Sequence, residues 1–349
     1  MLKQTEGYGD YAEVDDVGGL LGRDASVLRF PAAGVPFSSD YAVLGGTPDQ
    51  RLKIPGQSFG MNLVHLENVV YFGNRLFLSI GRDRVPLGVF RRPKAATAEI
   101  DLPDLPADLP RINGVTYSAD TRHSGHGHLL TEALSQMWGA SHVRPDRIIV
   151  NKKAAGYFAP LMACLFDAPF QRFKNPVVLD HLVLATPSYV GSNYISEQFV
   201  ANCQTIRDML APQQDPRPLY VSRRFASKRL LLNEEDVEQI FADRGFRILY
   251  PERTDLREQI QAFADATMVA GPVGSALYNI VFSRLRPKRL ILAPANFHTN
   301  NDLMLGAFTG SAPNYVFGSG AGHSRLDGMM ADWTIDLEAV RRAVAGLVD

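Results

Sequence analysis

Cysteine is nearly missing from this chain: Cys164 and Cys203 are the only two among 349 residues, each in an apolar stretch of helical pattern. Two thiols supply neither the disulfide framework of a small secreted domain nor a zinc-ligand set, so both read as buried side chains. No run approaches the roughly 20 apolar residues that a membrane span needs. An excess of either charge is missing too, with 36 Lys and Arg against 37 Asp and Glu. That balance argues against general nucleic-acid or anionic-membrane binding, while leaving room for local basic patches and peripheral membrane association. No G-x-G-x-x-G follows a strand and no G-x-x-x-x-G-K-[ST] occurs, which weakens dinucleotide and P-loop readings. The opening residues, MLKQTEGYGDYAEVDD, are acidic and lack an apolar core, so they are not a secretory signal. The expected location is the cytoplasm.

What is present is the composition of an ordinary globular chain, long enough for about two domains. Residues 1–60 are rich in Gly, Pro and Ser and show little periodicity, so they read as loop. VHLENVVYFGNRLFLSI (64–80) reads as a β-hairpin turning at Gly73-Asn74 between two apolar runs. Pro recurs every three or four residues in DLPDLPADLP (101–110), which excludes a helix there. HLLTEALSQMWGA (128–140) places Leu129, Leu130, Ala133, Leu134 and Met137 on one helical face. Arg147–Val150 and Val178–Leu184 read as strands, and Leu161–Phe166 and SEQFVANCQTIRDML (196–210) as helices. The polar, proline-bearing QQDPRP (213–218) is the best linker, dividing the chain into domains at 1–214 and 215–349. The last helix, Leu337–Val348, is expected to pack back onto the first domain.

The richest stretch runs from Leu219 to Pro294. A strand, LYVSRR (219–224), leaves Arg223, Arg224, Lys228 and Arg229 at its C-terminal end. A helix follows over 233–246, with Asn233 as N-cap, an acidic first turn and Gly245 as C-cap. Next come a strand (Arg247–Tyr250), a helix (Leu256–Ala264) and a strand (Thr267–Ala270). The turn Gly271-Pro272-Val273-Gly274 then leads into a helix from about Ser275 and a strand, Arg289–Ala293. This alternation predicts a parallel sheet of about five strands with helices on both faces. Ligands of open α/β sheets bind beyond the C-terminal strand ends. The basic cluster and the glycine turn therefore fall on one rim, suited to a diphosphate.

Four ordered motifs over roughly residues 120–348 resemble glycosyltransferase family 61. Gly127-His128-Leu129-Leu130-Thr131-Glu132 is similar to the family's small-His-Trp-x-x-Glu helix start. Ser222-Arg223-Arg224, then Arg229 and Asn233-Glu234, is similar to its basic strand end and Asn-Glu helix start. Leu256, Glu258, Gln259 and Ile260 match its next helix. Gly271-Pro272-Val273-Gly274-Ser275-Ala276-Leu277-Tyr278-Asn279 is similar to its Gly-x-His-Gly-x-x-Leu-x-Asn loop, with Val273 in place of the His. Asn300-Asn301-Asp302 and Tyr315 also follow its pattern. The resemblance implies an α/β, GT-B-like architecture of two Rossmann-like domains with a cleft between them. The acceptor would sit on the N-terminal domain and the nucleotide sugar on the C-terminal one. It implies inverting transfer without a cofactor or structural metal, in surface or capsular polysaccharide synthesis, to a saccharide or glycolipid acceptor.

Such transfer must stabilise a departing diphosphate and take a proton from an acceptor hydroxyl. For the first task the candidates are Arg223, Arg224 and Lys228, with Arg224 foremost, and the Gly274-Ser275 amides at a helix start. Asn279 either holds that loop or touches ligand, and Glu234 either takes a ribose hydroxyl or caps its helix. For the second, His128 and Glu132 lie four apart on one helical face, so one can orient the other. His126 and His123 precede them in a glycine-rich approach and are alternative bases or acceptor contacts. No Asp-x-Asp occurs, so the cationic rim is expected to replace a divalent metal. Two rival readings stay open: a nucleotide-sugar-binding scaffold that lost turnover with the His at 273, and a Rossmann-type oxidoreductase.

Overall fold

The computed structural model describes residues 25–30, 42–45, 61–72, 75–80, 83–86, 105–106, 108–119, 125–149, 154–191, 194–310, 312–320 and 324–348. The described residues form two compact units. The first lies within Met1–Ala33, Ser58–Val190 and Ser196–Phe199, the second within Gly34–Gln57, Gly191–Ile195 and Val200–Asp349. By compactness the chain therefore changes unit near residue 200, ahead of the 213–218 segment, and residues 42–45 join the second unit.

Strands of the first unit are β1 (Ala25–Phe30), β3 (Met61–Phe72), β4 (Arg75–Ile80), β5 (Asp83–Pro86), β6 (Arg111–Ser118), β7 (Arg147–Ile149), β8 (Phe170–Gln171) and β9 (Val177–Ala185); β2 (Ala42–Gly45) belongs to the second unit. The sheet order is β5-β4-β3-β9-β6-β7-β8, with β1 also on β3. Around β3 the pairing is antiparallel, and from β9 through β6, β7 and β8 it is parallel. Phe72 pairs with Arg75, so β3 and β4 form the expected hairpin; its turn residues 73–74 lie outside the described residues. One face buries Val64, Leu66, Val69, Leu179, Leu182 and Leu184. On the other lies a helical run over 126–143, docked through Leu129, Leu130, Leu134 and Met137, each at most 1% exposed. Its closest approach is at Gly139, where a Cβ would collide with Leu63 and sit 2.7 Å from the Tyr117 hydroxyl. Trp138 Nε1 donates to Thr186 O (2.7 Å), pinning the same run to the end of β9.

The chain then passes through β10 (Tyr189–Val190), β11 (Tyr194–Ile195) and the helix Glu197–Leu210. The second unit's sheet contains β12 (Arg217–Val221), β13 (Arg247–Leu249), β14 (Ala266–Pro272), β15 (Lys288–Pro294) and β16 (Asn314–Gly318) in the order β13-β12-β14-β15-β16-β2. Every pairing in it is parallel. The expected parallel sheet is thus present, with a sixth strand from a region that reads as loop. Residues 42–45 have no alternating pattern, and β2 exists because the open edge of β16 supplies its partner.

Alternation along the strands sorts the core. Met268, Ala270, Leu290 and Leu292 face the helices Glu234–Ala242 and Leu337–Val348, packed through Val237, Phe241, Val340 and Val344. The last helix packs its apolar stripe into the second unit's core, against β2 as well, whose residues 42–45 fall within the 1–214 stretch that the sequence assigns to the first domain. Helix Leu256–Ala264 begins where expected, because the Asp255 carboxylate accepts the Glu258 N–H (2.8 Å).

Candidate functional site

Strand order locates the site in the second unit. From β12 the chain crosses one way to β13, then back past β12 to β14, so the connections leaving β12 and β14 diverge. In a doubly wound sheet this reversal opens a crevice beyond the C-terminal strand ends. Arg223 follows β12 and Gly274 follows β14, so the basic cluster and the glycine turn flank it. They are in contact: a Cβ on Gly274 would lie 2.5 Å from Arg223 Nη1. At Gly271 a Cβ would collide with the Val221 carbonyl of the neighbouring strand, so the first glycine serves strand packing and the second the guanidinium. Residues Ser275–Phe282 wind as 3₁₀ turns rather than an α-helix. The first hydrogen bond there runs from Leu277 N–H to Gly274 O (3.1 Å), so the amides of Ser275 and Ala276 precede it and remain helix-start donors.

The four basic residues divide their roles. Arg223 donates from Nη2 to Lys228 O (3.0 Å), while its buried Nε has no hydrogen-bond partner among the described residues. Burial lowers its pKa. Arg224, the foremost candidate from sequence, is exposed and spends its guanidinium on Glu235 (3.0 Å) and Glu238 (3.4 Å). Lys228 is exposed, its Nζ 4.0 Å from Met330 Sδ. Arg229, without an assigned role in the sequence reading, is 7% exposed and bridges the carbonyls of Val273 and Met329, each at 3.1 Å. Its guanidinium lies 4.6 Å over the Phe297 ring, and burial followed by the nearby Arg223 charge lowers its pKa to about 10. Arg229 also holds a left-handed φ of 53°, a conformation that persists only when its surroundings enforce it. No sequence signal other than its place in the motif marks it.

Glu234 turns inward beneath the strand end. Its Oε1 accepts the Arg223 N–H (2.7 Å) and the Tyr220 hydroxyl (3.2 Å), and Oε2 has no partner among the described residues. Burial raises its pKa to about 7, against the opposing hydrogen bonds from Arg223 and Tyr220. Beside it Ser222 donates to Glu238 Oε1 (2.7 Å) and Tyr250 to Glu238 Oε2 (3.1 Å). Asn279 is fully buried and donates to Gln259 Oε1 (3.0 Å); Gln259 in turn donates to the Pro251 and Thr254 carbonyls. Both side chains therefore brace the loop. Asp302 caps its short helix and accepts from the Tyr315 hydroxyl (3.1 Å), so the C-terminal pattern is structural as well.

In the first unit His128 and Glu132 meet as their spacing predicts, with Nδ1 2.5 Å from Glu132 Oε1. Both are about two-fifths exposed, 45% and 37% by side chain. The run that carries them contains a widened turn, in which Leu134 N–H reaches back five residues to Leu129 O. Thr131 donates to Gly127 O (2.8 Å) and Gln136 to Glu132 O (3.0 Å), holding that turn. His126 is half-buried at the first position of the same run. His123 lies outside the described residues.

Two solved structures show slight likeness. One is the bacterial iron-containing dodecameric glycosyltransferase TibC from enterotoxigenic E. coli H10407, at 12% identity and TM-score 0.29, covering 73% of this chain and 84% of that one. The other is dodecameric iron-containing heptosyltransferase TibC in complex with ADP-D-beta-D-heptose, at 11% identity and TM-score 0.29, covering 64% and 67%. Scores this low define no common fold. No curated protein matches the chain. Residues 126–292 match the family model described as Glycosyltransferase 61, a span running from the His128–Glu132 turn through the basic strand end and the glycine loop to β15. That span carries the glycosyltransferase family 61 match, and the protein is a glycosyltransferase.

Proposed function

We propose that the protein is an inverting, metal-independent glycosyltransferase of GT-B design. It moves a sugar from a nucleotide-sugar donor to a saccharide or glycolipid acceptor in cytoplasmic synthesis of a surface polysaccharide. The contact of Arg223 with the glycine turn at the sheet's crossover carries this reading, because it gathers a guanidinium and free helix-start amides where a diphosphate would lie. In transfer, the acceptor oxygen attacks the anomeric carbon and the bond to the donor phosphate breaks. The leaving diphosphate takes that electron pair, and Arg223, Lys228 and the Ser275 and Ala276 amides offset its charge. His128 takes the hydroxyl proton: with Nδ1–H directed at Glu132, Nε2 is left as the acceptor.

The test is turnover of a panel of nucleotide sugars by the full chain after exhaustive EDTA treatment, with and without added Mg²⁺ or Mn²⁺. Donor consumption with inverted anomeric configuration is expected in all three conditions. Activity abolished by EDTA and restored by metal would remove the cationic-rim mechanism, and a retained configuration would remove the single-displacement one.

A further inference from the structure

A cavity of the second unit lies at the other end of its sheet. About 850 Å³ in volume, it is bounded by Gln213, Gln214, Arg217, Arg247, Gln261 and Asp265, among other residues. Arg217 opens β12, Arg247 opens β13, and Asp265 immediately precedes β14, so the cavity sits at the N-terminal strand ends. The seven residues of β14 separate it from the glycine turn, a distance of about 20 Å at strand rise. QQDPRP, which reads as a passive linker in sequence, forms one wall.

Its charges do not cancel. The Asp265 carboxylate is answered by Arg284 Nη1 (2.8 Å) and by the Gln214 N–H (3.0 Å). Arg217 and Arg247 are exposed, and neither guanidinium has a hydrogen bond or ion pair to any described residue. Leu219 pairs with Arg247, and Arg217 lies two residues before Leu219, so both arginines project from the same side of the sheet. Asp215 is the one remaining carboxylate on the wall.

We propose that this cavity is a second saccharide site, one for a carboxylate-bearing glycan chain held away from the reacting centre. Guanidinium forks match carboxylates, and glutamine amides both donate to and accept from sugar hydroxyls. The volume falls within the range that encloses a ligand of several hundred daltons. No aromatic side chain among the described residues lines it, whereas nucleic-acid grooves combine cationic groups with aromatic stacking surfaces. The inference rests on the protein being a glycosyltransferase but not on the assignment of the donor rim.

Calorimetry on the full chain with an oligogalacturonate, a neutral oligosaccharide of equal length, inorganic phosphate and single-stranded DNA tests it. The oligogalacturonate is expected to bind, and the Arg217→Gln/Arg247→Gln double variant to weaken it at least tenfold. Nucleoside diphosphate affinity should stay unchanged in that variant, which also shows that the fold persists. Equal binding of the neutral oligomer, tighter binding of DNA, or displacement of the glycan by equimolar phosphate would overturn the proposal. So would an undiminished affinity in the double variant. Loss of glycan binding in Arg223→Ala alone would move the glycan to the donor rim. Absence of nucleoside diphosphate binding in every sample would overturn the rim assignment and leave this site standing.

Discussion

Arg223 Nη1 lies where a side chain on Gly274 would have to go, 2.5 Å from the position of its missing Cβ. A loop after one strand and a loop after another thereby become one surface. That contact gives Arg223 a place against the helix-start amides that Arg224, held by Glu235 and Glu238, does not share.

Arg223→Ala should therefore weaken nucleoside diphosphate binding by about 1.5–3 kcal/mol, the scale of charge-assisted hydrogen bonds. Arg224→Ala should leave that affinity nearly unchanged, because its exposed guanidinium is engaged by Glu235 and Glu238. Calorimetry with diphosphate and with the bare nucleoside separates the two. Equal losses in both variants would place Arg224 on the phosphates as well.

The two glycines of the turn should respond differently to the same added methyl. Gly274→Ala meets the end of a flexible side chain, so the fold should survive with Arg223 displaced and diphosphate affinity reduced about tenfold. Gly271→Ala meets the Val221 carbonyl, a neighbour that cannot swing away. It should destabilise the unit by about 1–3 kcal/mol. Thermal melts and diphosphate titrations of both variants check this, and a Gly274→Ala protein with undiminished affinity would contradict it.

His128→Asn should lower transfer roughly 10²–10⁴-fold, the usual contribution of a positioned general base. Glu132→Gln should lower kcat by about 10–100-fold while leaving the donor KM in place, because it acts only through the imidazole. A His128→Asn enzyme with normal kcat would transfer the role to His126.

Glu234 should make the second unit's stability depend on pH. Its folded pKa of about 7 lies above the ordinary 4.5. The stabilising effect is complete below pH 4.5 and is lost as pH rises through 7. Glu234→Gln keeps an oxygen for the Arg223 N–H and cannot ionise. Relative to the native chain it should gain on the order of 2–3 kcal/mol between pH 5 and pH 8. Urea unfolding at both values reads this directly, and a constant difference would mean that Glu234 titrates normally.

Much of this was legible in the residues. Asp255 and the spacing of Leu256, Ile260 and Phe263 define a helix by local chemistry alone, and the buried runs around Val269 and Ile291 mark interior parallel strands. The His128–Glu132 pair followed from helical spacing, which the widened turn did not disrupt. Other features depend on partners distant in sequence. Arg224 reads as well as Arg223 until Glu235 and Glu238 claim it. Arg229 looks like one more cation until the carbonyls of Val273 and Met329 surround it. Asn279 reads equally as a loop brace or a ligand contact until its amide is found donating to Gln259.

One strand changes what can be separated. β2 comes from residues 42–45, yet its Ala42 and Val43 pair with Asn314 and Tyr315 at the far end of the chain. Synthesised first, it must wait for nearly the whole polypeptide before its partner strand emerges. A fragment beginning at residue 200 would display the edge of β16 bare, a row of open amides and carbonyls able to recruit a strand from another copy. Excising the second unit as a contiguous piece should therefore yield a self-associating protein, and supplying residues 34–57 in trans should reverse that association.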